Sequence, residues 1–209
     1  MLFRTIVSAF YLPAAVDDDL TGLVRRAGMT DIAPLDETAR GGLGFHDGDR
    51  QVLGGTWDAY QATWAIVDDA DGLRILQLYS RAALFFDAAR ESVDADADQD
   101  DWPLAGYVRT FREACLALAP VAAFLDTRAH FEDEAWVDRQ GSRSFVLELT
   151  PLAAACDANA LAQRGFSLLF VDSRTSRCLT SGLPWSDREE VEMPSGRLLF
   201  ARSGPTRMS

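Results

Sequence analysis

The sequence predicts an α+β fold in which an antiparallel sheet carries helices on one face, and three observations lead there. Residues 63–79 read TWAIVDDADGLRILQLY, two runs of Trp, Ile, Val, Leu and Tyr around an aspartate-rich tip where Gly72 supplies the positive φ of a tight reversal. Residues 104–118 place Leu104, Tyr107, Val108, Phe111, Cys115 and Leu118 at three- and four-residue steps, the apolar stripe of an amphipathic helix. Over residues 1–126 the order is strand, helix, strand, strand, helix, strand, with one extra helical stretch before the second main helix.

Residues 2–11 read as the first strand, with Phe3, Ile6, Val7, Ala9 and Phe10 as its bulk and Pro13 as its stop. Asp17, Asp18 and Asp19 then open a helix that carries Leu20, Leu23 and Val24 on one face and ends on Arg25 and Arg26 before Gly28. Acid at the start and base at the end both oppose the helix dipole. Between Thr30 and Gly55 periodicity fades and glycines crowd in, so an irregular connection with room for a short hairpin is expected.

In the second run of the 63–79 hairpin, Leu73, Ile75, Gln77 and Tyr79 share one face while Arg74, Leu76 and Leu78 share the other. Neither face is wholly polar, which places the pair inside a sheet with cover on both sides. Residues 81–93 have helical spacing through Leu84, Phe85, Ala88 and Ala89, with a strand over 83–86 as the competing reading. DADADQDD at 94–101 reads as a solvated acidic loop. Asp101 then caps the long helix, Pro103 lies near its first turn, and residues 121–125 form a short buried strand.

That order over residues 1–126 resembles the ferredoxin-like βαββαβ arrangement, which serves many functions and assigns none. Residues 127–209 are expected to add a smaller α+β half packed on the first, or to continue a single domain. Its elements are an acidic helix at 131–139, a strand at 144–149, and a helix capped by Thr150 with Pro151 at its first position and Gly165 at its end. A strand at 166–171, a turn at 173–176, a strand at 197–202 and a frayed tail complete it.

At 209 residues and 48% hydrophobic composition the chain can bury a substantial core. No run of apolar residues is long enough to span a bilayer, and residues 1–13 lack a cleavage pattern for export, so a cytoplasmic location is expected. The three cysteines, Cys115, Cys156 and Cys178, are odd in number and far apart, which fits a reducing compartment. All 20 basic residues are arginine; codon bias in a GC-rich bacterial genome accounts for that, and it removes lysine-based covalent chemistry. A net charge of −12 argues against nucleic acid or anionic membrane as partners and favours a basic protein.

Reactive groups are sparse. His46 lies in GFHDGD with Asp47 and Asp49, where an imidazole and two carboxylates could meet a divalent metal or ligand, although a surface turn has the same composition. His130 opens a His-x-Glu, but no Pro-Cys-x-x-Cys completes the zinc deaminase signature. DADADQDD has Gln99 where a calcium loop needs glycine and Ala105 where it needs a bidentate glutamate. The sequence contains no nucleophile elbow, Walker motif or dinucleotide fingerprint. No cofactor is implied.

Trp57, Trp102, Trp136 and Trp185 stand beside turns or charged segments. Such aromatics either anchor a protein interface or plug the ends of a sheet. Together with Asp100 and Asp101, they are the candidate contact residues for a basic partner. The expected function is therefore non-catalytic: an acidic binding protein of the immunity or antitoxin kind. A small metal-dependent enzyme or ligand-binding domain using the Thr30–Gly55 loop is the alternative, and a homo-oligomer paired through a sheet edge is compatible with either.

Overall fold

The computed structural model describes residues 5–36, 51–57, 60–81, 103–126, 145–164, 166, 168–176 and 188–201. These build one nine-stranded sheet, every neighbouring pair antiparallel, in the order β2-β3-β4-β5-β1-β6-β7-β9-β8. The strands are β1 (Thr5–Pro13), β2 (Met29–Pro34), β3 (Leu53–Trp57), β4 (Tyr60–Ala70), β5 (Leu73–Arg81), β6 (Ala122–Asp126), β7 (Leu168–Asp172), β8 (Arg188–Met193) and β9 (Gly196–Ala201). The helices are α1 (Leu20–Arg26), α2 (Pro103–Leu118), α3 (Thr150–Ala154), α4 (Ala158–Gln163) and the single turn α5 (Ser173–Ser176).

The hairpin read from residues 63–79 is β4 and β5. Ala70 pairs with Leu73 across Asp71 and Gly72, both at positive φ, 51° and 74°, as a two-residue turn that follows the strand twist demands. β5 is covered on both faces: Leu76 and Leu78 join one apolar cluster, Leu73, Ile75 and Tyr79 the other. The first face packs on α1 through Leu20, Leu23 and Val24 and on α2 through Phe111, Ala114, Cys115 and Leu118, with Phe10 of β1 between them. Asp19 caps α1 by accepting from the Gly22 amide at 2.7 Å. The second face packs on Val146, Leu149, Ala153, Leu161 and Phe166.

The expectation of helices on one face and a ferredoxin-like unit at residues 1–126 is corrected here. The strands β4, β5, β1 and β6 do lie side by side, but β2 and β3 intervene in the chain between α1 and the hairpin, the sheet continues past β6, and helices cover both faces. Of the two extra strands, β2 is hidden in sequence by Asp31 and Pro34, residues that strands usually lack, and β3 by its two glycines. A Cβ on Gly54 would lie 2.8 Å from Leu35 Cδ2, and one on Gly55 would lie 2.5 Å from the Thr30 carbonyl oxygen, so the composition of a loop is the composition of a tightly approached strand.

Smaller corrections follow from the same cause, local pattern overridden by packing. Residues 145–148 are helical rather than extended, because Val146, Leu149 and Ala153 are buried at helical spacing. The helix expected from Thr150 to Gly165 is two helices, interrupted where Cys156 takes a φ of 54° and Asp157 restarts the chain by capping the Ala160 amide at 3.0 Å. Leu149, not Thr150, holds the N-cap position of α3. The turn at 173–176 is the helical turn α5, capped through Asp172 Oδ1 by the amides of Arg174 and Thr175. β8 was concealed by its glutamates, while Val191 and Met193 join the core.

Candidate partner-binding face

Antiparallel pairing of β1 with β5 sets Pro13 opposite Leu73 and Leu12 opposite Arg74, so the chain leaving β1 runs directly beside the tip of the β4–β5 hairpin. Arg74 fixes the junction. Its Nη1 donates to the Val16 carbonyl at 3.1 Å while its Nε lies 3.7 Å from Asp69 Oδ1. Two acidic stretches far apart in sequence, Asp17 to Asp19 and Asp69 with Asp71, therefore converge on one end of the sheet. Asp17, Asp19, Asp69 and Asp71 are exposed. Asp18 pairs with Arg26, and Arg26 reaches on to the Ala117 carbonyl at 2.8 Å, fastening α1 to α2. Beside that link lies an open cleft of about 250 Å³ lined by Arg26, Ala27, Gly28, Thr110, Glu113 and Ala117.

Sequence reasoning assigned these aspartates to a helix start and a turn, each a sufficient local explanation, and so missed their convergence. The only available signal was the strand register, which one sequence does not fix. Of the residues expected to touch a partner, Trp57 is fully buried in β3, its indole N–H donating to the Ala27 carbonyl at 2.8 Å. It plugs the sheet against α1 and offers no surface to a partner. Trp102, Asp100, Asp101, Trp136 and Trp185 lie outside the described residues, as do His46, Asp47, Asp49, His130 and Cys178. Among the described residues no group of three or more His, Cys, Asp or Glu is placed to hold a metal ion. Cys115 is buried on α2, and burial pushes its thiol well above the ordinary range.

The opposite face of the sheet holds a buried polar chain. Gln77 Nε2 donates to Asp68 Oδ2 at 2.8 Å, Tyr79 donates to Gln77 Oε1, and Tyr11 donates to the Val146 carbonyl at 2.7 Å. The last bond ties β1 to the helical cover. Burial, with Tyr79 nearby, drives the Tyr11 phenol far above its ordinary range. The unfolded chain ionises Tyr11 near pH 10, so this contribution is complete below that pH and is lost as pH rises above it. Tyr11→Phe is expected to destabilise the fold by about 1 kcal/mol at neutral pH, because the buried Val146 carbonyl loses its 2.7 Å bond and retains the longer one from the Leu149 amide at 3.3 Å. Urea unfolding from pH 8 to pH 11 tests this: the variant should lose less stability with rising pH than the parent, and parallel curves would refute the assignment.

No family model matches the sequence, and no curated protein matches it. Among solved structures, the Pseudomonas aeruginosa T6SS protein PA0821 is similar over 100% of this chain and 69% of that one, with a TM-score of 0.46 and 12% identity. Among the described residues, no helix is long and apolar enough to cross a membrane.

Proposed function

We propose that this chain is a non-catalytic acidic binding protein that holds a basic protein partner, in the manner of an immunity or antitoxin-type inhibitor. The observation that carries the reading is the convergence of Asp17, Asp19, Asp69 and Asp71 at one end of the sheet, on a chain of net charge −12. Like charges gathered at that end of the sheet speed encounter with an oppositely charged surface and reject acidic ones. Trp102, Trp136 and Trp185, with Asp100 and Asp101, complete the proposed contact set.

The test begins with affinity purification from the native host at low salt, where a single basic companion in equal amount is expected. Its association is then measured against salt for the parent and for the combined variant Asp17→Asn, Asp69→Asn, Asp71→Asn. Asp18 and Asp19 stay intact because one holds Arg26 and the other caps α1. The variant should bind about tenfold more weakly, mainly through slower association, and with a flatter salt dependence. Association that ignores both salt and the substitutions would sink the reading.

A further inference from the structure

The sheet ends on two strands of unlike character. β2 closes its edge with backbone devices: Asp31 at a φ of 51°, a register shift between Thr30 and Ala33, and Pro34. A bulged, proline-bearing edge cannot template another strand. β8 has none of these. It runs through six successive pairs with β9 without a register shift, contains no proline, and is held down by Val191 and the buried Met193 on the core. Among the described residues no strand lies outside it.

An antiparallel strand turns the amide and carbonyl of alternate residues away from its one neighbour, so a regular edge keeps a row of groups ready for a second partner. Among the described residues, what guards this edge is charge. The strand reads REEVEM, with Glu189, Glu190 and Glu192; the Glu192 side chain is 85% exposed and its Oε1 lies 3.7 Å from Arg197 Nη2 of β9. A second copy pairing there about a two-fold axis would set these glutamates against their own counterparts, which like-charge repulsion disfavours. The same charges favour a strand of opposite sign.

We propose that the outer edge of β8 takes up an extended arginine- or lysine-rich segment of the partner as a tenth strand of the sheet. The inference rests on the reading that the partner is basic, and adds where and in what conformation part of it binds. Main-chain hydrogen bonds supply affinity in such strand addition, and side chains opposite the glutamates supply selectivity.

The probe is a short peptide alternating lysine and valine, compared with the same peptide N-methylated at alternate amides, each added to the full chain at low salt. Binding is followed by fluorescence anisotropy, and amide hydrogen exchange is read across residues 188–193. The unmodified peptide should raise protection in β8, and N-methylation should weaken binding about tenfold by removing half of the donors while leaving the charge. The combined Glu189→Gln, Glu190→Gln, Glu192→Gln variant should also bind about tenfold more weakly. Equal binding of the two peptides, or binding without protection of β8, overturns strand addition. If a basic companion protein is still retained in a salt-sensitive way, only this inference fails; if no basic probe binds at low salt, the parent reading fails with it.

Discussion

Phe124→Ala is expected to destabilise the protein by about 3–5 kcal/mol, the usual range for emptying a buried aromatic site. Phe124 stands on β6 and faces the helical cover. Its ring stacks on Phe166 at a centroid distance of 4.3 Å and an interplanar angle of 13°, meets Phe145 edge-on at 6.1 Å, and lies 6.3 Å from Tyr11. Phe145 and Phe166 themselves meet at 6.2 Å, so removing one ring takes away the partner of three others. Besides the fall in stability, limited proteolysis within residues 145–166 should accelerate in the variant, because Phe145 and Phe166 of that layer lose the ring they pack on. An unfolding free energy within about 1 kcal/mol of the parent, with unchanged cleavage, would mean that the cover is held by something else.

Trp57→Ala should cost a similar amount, about 3–5 kcal/mol, and for a chain of this size that lowers the melting temperature by roughly 10 °C. The indole packs edge-on against Phe10 with centroids 6.3 Å apart, and Phe10 in turn lies 5.4 Å from Phe111 of α2. Trp57 thus joins β3, β1 and α2, while its N–H satisfies the Ala27 carbonyl just past α1. Trp57→Phe separates the two contributions: it keeps most of the packing and loses the bond, so its cost should be nearer 1–2 kcal/mol. Thermal and urea unfolding of both variants give the comparison. An alanine variant as stable as the parent would contradict the buried position, and equal costs for alanine and phenylalanine would assign the whole effect to the hydrogen bond.

Trp57 also marks the boundary of what the sequence could disclose. Its position beside a turn was legible, and two readings followed from it, interface anchor or plug; only the placement of Ala27 thirty residues earlier decides between them. The β4–β5 hairpin, α1 with its Asp19 cap, and the apolar stripe of α2 were readable because each is set by neighbours within a few positions. β2, β3 and β8 were not. Gly54 and Gly55 are small because other chain segments press on them, and Glu189, Glu190 and Glu192 lie on a strand that is outermost among the described residues; both circumstances are tertiary, and both erase the alternation by which strands are recognised. The acidic face was hidden in the same way. Asp17 and Asp71 are brought to the same end of the sheet only through the pairing of Pro13 with Leu73, a contact that no local spacing encodes.

The central place of β1 governs how the molecule can be assembled. Residues 5–13 are hydrogen-bonded on one side to residues 73–81 and on the other to residues 122–126, so β1 is made before either of its neighbours and has no companion until much later stretches have followed. Its apolar residues must wait unpaired through that interval, and closure of such wide loops before any reward makes for slow folding and a period of exposure to aggregation.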